Sequence, residues 1–385
     1  MNILFPYMAR WSSGHASRYY HLLTQVAEQG HTIYVIQPPS RNSGELNDVD
    51  VSLPSHSGIT VLTIQFNERF WNAKFPSEKL VKKLLFTLKS IPLVKRTMRE
   101  KNIDLLYIYN LPQAVYLIGR RPRVVFDFPD DLLGMLAAEL SIGTHHVLYR
   151  IASSCLRWII RRSDVVICIS RSLFDSVDHP RKYLIPNGAN LDRVPDSRTS
   201  SSVEKSGITV GYVGTFEYTR AISLVIEVAG ALPDVSFLLV GSGRDFADIQ
   251  SAIARRKLTN ICLTGVVPHE KAMEYIESMD ICLNIFNKIE ISHAISPIKL
   301  FEYLAHKKPV ISTRLEEVER LNEDFLFFAD SAEEIVEKIR YICAHDEEAK
   351  SKANRGYEVL ARKYTWSRLS RDFLEAVKTA DSTLA

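Results

Sequence analysis

Short apolar runs alternate along the chain with stretches whose apolar residues fall three and four apart, the signature of strands alternating with amphipathic helices. "NILFPYM" opens as a strand. The loop "ARWSSGHAS" leads into the helical pattern "SRYYHLLTQVAEQ", which stops at Gly30, and "TIYVIQP" follows as a second strand. Strand, helix and strand in that order make a βαβ unit. Further strands are predicted at "DLLYIYN" (104–110), "RVVFDF" (123–128), "DVVICIS" (164–170) and "KYLIPNG" (182–188). Their near-continuous apolar character suits a parallel sheet covered on both faces.

The pattern lapses over "NLDRVPDSRTSSSVEKSG" (190–207), which is polar and aperiodic, and then restarts. Strands "ITVGYVG", "VSFLLVG", "ICLTGVV", "ICLNIF", "PVIST" and "FLFFA" alternate with helical stretches, and a last helical run begins near "YTWSRLSRDFLEAVKTA". The expectation is α/β: two Rossmann-like domains facing across a cleft, over 1–190 and 208–365, with a linker at 191–207 and a closing helix at 366–385 that returns to the first domain. Ligands of open α/β sheets bind beyond the carboxyl ends of the strands.

Within the second domain, "SPIKLFEYLAHKKPVIST" (296–313) stands out. Ser296 suits an N-cap and Pro297 the first helical position. Helical spacing puts Ile298, Leu300, Phe301, Leu304 and Ala305 on a buried side, and Lys299, Glu302, Tyr303 and His306 on the other. Free amides, a lysine and then a carboxylate suit a phosphate with hydroxyls beside it. A solvated face behind an ordinary capped start is the plain alternative.

Composition narrows the class. The chain has 385 residues, 46% hydrophobic and 24% charged, as expected of a globular protein with more than one domain. Five cysteines, with no CxxC among them, fit neither a disulfide framework nor a zinc site. The start "MNILFPYMARW" has no basic region and no long apolar core, so a cytoplasmic protein is expected, peripheral at most to the inner face of a membrane. Residues 1–190 carry 23 Lys and Arg against 15 acids and residues 191–385 carry 25 against 30, so a basic first half is hidden inside a net charge of +3. Its basic segments, 74–101 and 148–162, mix cations with Leu, Ile, Phe and Trp. They fit an anionic membrane surface, or equally two helices with a solvated basic side. Nucleic acid is not expected, since no binding motif is present.

"GHASRYYHLLTQVAEQGHTIYVI", "SDVVICISRSLFDSV", "KYLIPNGANLD", "VGYVGTFE", "FLLVGSGRD", "ICLTGVVPHEKAMEYIESMDICLNIF" and "SPIKLFEYLAHKKPVIST", in this order, resemble the GT-B retaining glycosyltransferases of family 4 over nearly the whole length. The resemblance implies a hexosyltransferase-type enzyme that takes a UDP- or GDP-sugar and glycosylates a hydroxyl of a glycan or lipid-linked acceptor, with no cofactor and no metal. It implies a donor site of Gly14, Gly214, Thr215, Val266, Val267, Ser296, Pro297, Ile298 and Glu302, with Glu302 on the ribose. Arg220 and Lys299 would face the diphosphate, and Val266 and Val267 the base. Asp127 and Asp130, at a strand's carboxyl end with Asp131, are the candidates for steering an acceptor hydroxyl, although Asp130 or Asp131 equally suits a helix cap. His269 and His293 are expected to be structural or solvated.

Departures from the family pattern are local. Ala294 stands eight before Glu302, where a second glutamate is common; Thr215 stands for a frequent arginine, Pro129–Asp130 for a histidine–aspartate pair, and Lys307 for a helix-ending glycine. A catalytically inactive nucleotide-sugar-binding or scaffolding protein of the same fold is therefore the rival expectation. A nicotinamide oxidoreductase is disfavoured, because "GSGRDF" puts Phe246 where the dinucleotide fingerprint needs its third glycine.

Overall fold

The computed structural model describes residues 1–11, 17–39, 58–66, 78–119, 122–191, 207–217 and 219–379. Gly14 and most of the 191–207 segment lie outside these residues. The chain divides into two compact units, 1–186 together with 367–385, and 187–366.

The first unit is built on strands β1 (Asn2–Pro6), β2 (Thr32–Gln37), β3 (Ile59–Thr63), β4 (Leu105–Ile108), β5 (Arg123–Phe128), β6 (Val165–Cys168) and β7 (Lys182–Leu184). Every pairing is parallel, in the order β3-β2-β1-β4-β5-β6-β7. The inner strands β4 and β6 are buried along their whole length, which is why they read as unbroken apolar runs. β3, an edge strand with exposed Thr60, Val61 and Thr63, is absent from the sequence prediction, because its side chains carry no such run.

Helices Arg18–Glu28, Glu78–Glu100, Leu132–Leu140 and Val147–Arg162 lie between these strands. Ser17 caps the first by accepting from Tyr20 N. The final helix, Trp366–Thr379, contributes Leu369, Phe373 and Val377 to buried positions. The Phe373 ring lies 5.7 Å from that of Tyr107, and Arg123 donates to Val377 O at 3.1 Å.

The second unit holds β8 (Thr209–Val213), β9 (Ser236–Val240), β10 (Ile261–Gly265), β11 (Ile281–Asn284), β12 (Val310–Ser312) and β13 (Leu326–Phe328). They too are all parallel, in the order β10-β9-β8-β11-β12-β13. Alternate residues supply two cores: Ile281 and Leu283 enter one, Cys282 the other. The strand order reverses between β8 and β11, and at such a switch point the loops on the two sides part and leave a crevice. Helix Ile298–Ala305 follows β11, after one short turn of helix at Glu290–His293.

Helix Asp346–Lys363 was not predicted. It buries Ala349, Ala353, Gly356, Val359 and Leu360 amid a charged sequence. A Cβ on Gly356 would lie 2.6 Å from Leu304 Cδ2, so any larger residue there would have to displace that leucine of helix Ile298–Ala305.

Among the described residues, no helix is long and apolar enough to cross a membrane.

Candidate functional site

At the switch point the carboxyl ends of β8, β9 and β10 are drawn together by main-chain bonds. Gly214 N donates to Val240 O at 2.9 Å, Gly241 N to Gly265 O at 3.0 Å and Phe216 N to Ser242 O at 3.0 Å. Gly241 has φ +132, and a Cβ there would lie 2.0 Å from Gly214 O, so no other residue fits. The loop after β8 is tied to the one after β11: Asn287 N donates to Thr219 O at 3.0 Å, and Asn287 Nδ2 to Arg220 O at 3.3 Å.

Helix Ile298–Ala305 is docked on this framework from both ends. Val213 N donates to Tyr303 Oη at 2.8 Å. Asn187 donates through N to Ser296 Oγ at 3.2 Å and through Nδ2 to Ser296 O at 2.6 Å. Ser296 is thereby occupied and does not cap the helix; Pro297 takes the N-cap position, with no side-chain cap. This corrects the expected start by one residue and leaves the first amides of the helix open to a ligand. At the other end Lys307 has φ +52. Lys308 N bonds to Tyr303 O at 3.1 Å and Lys307 N to Leu304 O at 3.0 Å, a Schellman closure on a non-glycine residue.

The side opposite the predicted buried one is itself enclosed, against the solvated alternative: Tyr303, His306 and Glu302 are buried. Tyr303 is drawn in by its bond to β8, and His306 by Glu277 at 2.8 Å. Lys299 as a whole is only partly covered, yet its Nζ is shut off from solvent and has no hydrogen-bond partner among the described residues. That nitrogen lies 3.8 Å above the Tyr212 ring and 5.7 Å from the Phe286 ring. It also lies 2.7 Å from where a Cβ on Gly214 would stand, so the ammonium occupies the space that Gly214, a glycine called for by its φ of +140, leaves open.

The Arg220 guanidinium sits 4.3 Å from the Phe286 ring, and its Nε is likewise buried without a partner among the described residues. Burial first, and then the Arg220 charge, hold Lys299 well below the usual lysine range, with Glu302 pulling the other way. Arg220 Nη1 is held by Thr219 Oγ1 at 2.9 Å, so the buried Lys299 Nζ and Arg220 Nε, braced on aromatic faces, are the open donors of a receptacle for an anion. One turn on, the Glu302 carboxylate accepts from His269 Nε2 at 2.8 Å, the imidazole standing at the start of helix His269–Ser278.

Gly214, Arg220, Lys299 and Glu302 thus come together around β8 and helix Ile298–Ala305. Thr215 is exposed, with its carbonyl held by Tyr212 Oη at 2.9 Å. Val266 and Val267 lie in the loop after β10, partly buried. Tyr212, Phe286 and His269 complete the arrangement and were not singled out for it from sequence. The first two look like any strand residue, since periodicity reports burial and not which group a ring faces.

In the first unit Asp127 does not face solvent. It is fully buried, accepts from Arg18 Nε at 2.8 Å and from Tyr107 Oη, and Arg18 in turn donates to Pro186 O at 2.8 Å. It is the counter-ion of a buried arginine, which corrects its place among the residues expected to steer an acceptor. Asp131 caps helix Leu132–Leu140 by accepting from Gly134 N at 2.9 Å. Asp130 remains partly accessible beside it.

Sequence comparison places these two units among known proteins. A family described as Glycosyltransferase Family 4 matches residues 12–193, and one described as Glycosyl transferase-like matches 220–375. TuaH of Bacillus subtilis (strain 168), assigned as a teichuronic acid biosynthesis glycosyltransferase, is 26% identical over 217 residues, 53% of this chain and 54% of that relative. The match therefore spans about half of that protein. Among solved structures, sucrose-phosphate synthase from Thermosynechococcus elongatus superimposes with a TM-score of 0.78 at 16% identity, covering 100% of both chains. HepE from Anabaena, solved with UDP and glucose, gives 0.71 at 16% identity over 98% of this chain and 100% of its own.

Proposed function

We propose, because the chain belongs to the GT-B glycosyltransferases of the family 4 type, that it moves a sugar from a UDP- or GDP-sugar to a hydroxyl of a glycan or lipid-linked acceptor, with retention of anomeric configuration. The observation that carries this is the buried, unpartnered ammonium of Lys299 beside Arg220 at the open start of helix Ile298–Ala305. A diphosphate supplies the acceptors that Lys299 Nζ and Arg220 Nε lack, and no metal is needed to neutralise it. Glu302, one helical turn further, reaches the ribose hydroxyls, and the main chain at Val266 and Val267 reaches the base.

As the sugar–phosphate bond breaks, charge grows on the leaving diphosphate, where Lys299, Arg220 and the helix amides stabilise it. The acceptor hydroxyl attacks the same face and a departing phosphate oxygen takes its proton, so no protein nucleophile is required. Asp130, partly accessible beyond the carboxyl end of β5, is the candidate for steering the acceptor hydroxyl. The Anabaena neighbour's complex with UDP supports a uridine donor first, and the teichuronic acid assignment of TuaH supports a surface polysaccharide product.

Calorimetric titration with UDP, GDP and inorganic pyrophosphate separates the parts of the site. Lys299→Met should weaken all three ligands. Glu302→Gln should weaken the nucleotides, by about 10-fold for one lost charged hydrogen bond, and leave pyrophosphate unchanged. Equal losses for Glu302→Gln on pyrophosphate and nucleotide would remove the ribose role, and no nucleotide binding by the wild type would remove the proposal. Ala294, buried where relatives often carry a glutamate, favours a second reading, a binding protein without turnover. Nucleotide-sugar binding with neither hydrolysis nor transfer would select it.

A further inference from the structure

We propose that helix Val147–Arg162 of the first unit is a docking face for a bilayer carrying anionic headgroups. Its inward side is accounted for by Ala152, Leu156, Ile159 and Ile160, which are buried. Its outward side is not that of a solvated helix. Val147, Ile151 and Trp158 recur at spacings of four and seven, a single stripe, and are 63%, 61% and 37% exposed.

Arg150, Arg157 and Arg161 recur at seven and four along the adjoining stripe, and Arg162 lies on the other side with its guanidinium 5.8 Å from the Trp158 ring. The helix carries no acidic residue, and no carboxylate pairs with Arg150, Arg157 or Arg161 among the described residues. The neighbouring helix Leu132–Leu140 extends the apolar surface, with only Leu132 buried and Met135 at 42% exposure.

An apolar stripe with a row of three arginines on one side and Arg162 on the other matches the interface of a charged bilayer: the stripe enters the headgroup boundary, Trp158 settles at that depth, and the guanidinium groups reach lipid phosphates. A second copy of the chain fits less well, because a two-fold contact of helix Val147–Arg162 with itself would set arginine against arginine, and this helix carries no acid to separate them. This docking goes beyond the proposed transfer reaction and does not rest on it.

The test is flotation of the full chain with phosphatidylcholine vesicles, with and without about one-third phosphatidylglycerol. The wild type should float with the anionic vesicles and sediment with the neutral ones, and high salt should release it. Replacing Arg150, Arg157 and Arg161 with glutamine should lower partitioning on the order of a hundredfold, at roughly fivefold per cation. Ile151→Ser with Trp158→Ser should lower it while leaving the preference for anionic lipid. Both variants lie on the exposed side, and unchanged circular dichroism melts would show that they fold. Failure of the wild type to float, equal flotation with neutral vesicles, or variants that float like the wild type would each overturn the proposal. So would a dimer that these same substitutions abolish, which would assign the face to a second copy.

Discussion

A buried ammonium nitrogen without an acceptor costs about 1–3 kcal/mol, and that of Lys299 has ring faces and the Arg220 charge around it instead. Lys299→Met is therefore expected to stabilise the ligand-free protein by an amount of that order, a rise of about 2–4 °C in melting temperature per kcal/mol, while it weakens diphosphate binding. Thermal melts with and without UDP check both signs, and a variant that melts lower when free contradicts the assignment.

The same residue sets a pH dependence. Burial holds its folded pKa well below the ordinary lysine value of 10.5, so its cost is present in full below the folded pKa and fades as pH rises from there towards 10.5. Binding of UDP-glucose, whose diphosphate does not titrate in that range, needs the charged form. Affinity should hold below the depressed pKa, fall as pH rises through it with uptake of a proton, and lose this dependence in Lys299→Met; titration in buffers of different ionisation enthalpy measures the uptake.

Glu302 was legible from sequence because a carboxylate one turn into a helix is a position as well as a residue. His269, which holds it, was not, because the two stand 33 residues apart and meet only through the sheet.

Across elements, the parallel sheets were legible because each inner strand is wrapped on both sides and must be apolar. β3 escaped because two threonines break its apolar run, and helix Asp346–Lys363 because small residues make its buried side. Glycines separate the parts of the second sheet that tolerate change from those that shape the site. Gly241 combines φ +132 with a main-chain oxygen 2.0 Å from any added Cβ. Gly241→Ala must therefore push β8 and β9 apart at their carboxyl ends, and overpacking of 1–3 kcal/mol adds to backbone strain of about 1–2 kcal/mol.

Gly230, inside helix Ile222–Ala231, meets nothing closer than Leu258 Cδ2 at 3.8 Å and has no left-handed φ. Gly230→Ala should stabilise by about 0.5–1 kcal/mol. Denaturant unfolding of the two variants should give opposite signs, and only Gly241→Ala should also lose UDP affinity. A tolerated Gly241→Ala would mean that the loops after β8 and β9 are not held as described.

At the scale of the whole molecule, the second unit is one unbroken segment, 187–366, whereas the first is completed by residues 367–385 from the far end of the chain. A closing helix was legible in the sequence; the residues it buries were not, because an amphipathic helix does not name its partner. Here Phe373 lies against Tyr107 of β4, and Leu369, Leu374, Ala376 and Val377 are buried with it. The first unit therefore depends on the chain having passed through the second.

Phe373→Ala removes a fully buried ring and should cost the first unit about 3–5 kcal/mol. Lys299, Arg220 and Glu302 all belong to the second unit, so a nucleotide that binds there should stabilise that unit, by about 2.7 kcal/mol at a concentration of 100 Kd. Calorimetry of Phe373→Ala should then resolve two transitions, a lowered one indifferent to UDP and a higher one that UDP raises. If UDP instead raised the lowered transition, the nucleotide would be gripped by the first unit, and the site built around Lys299 would be the wrong one.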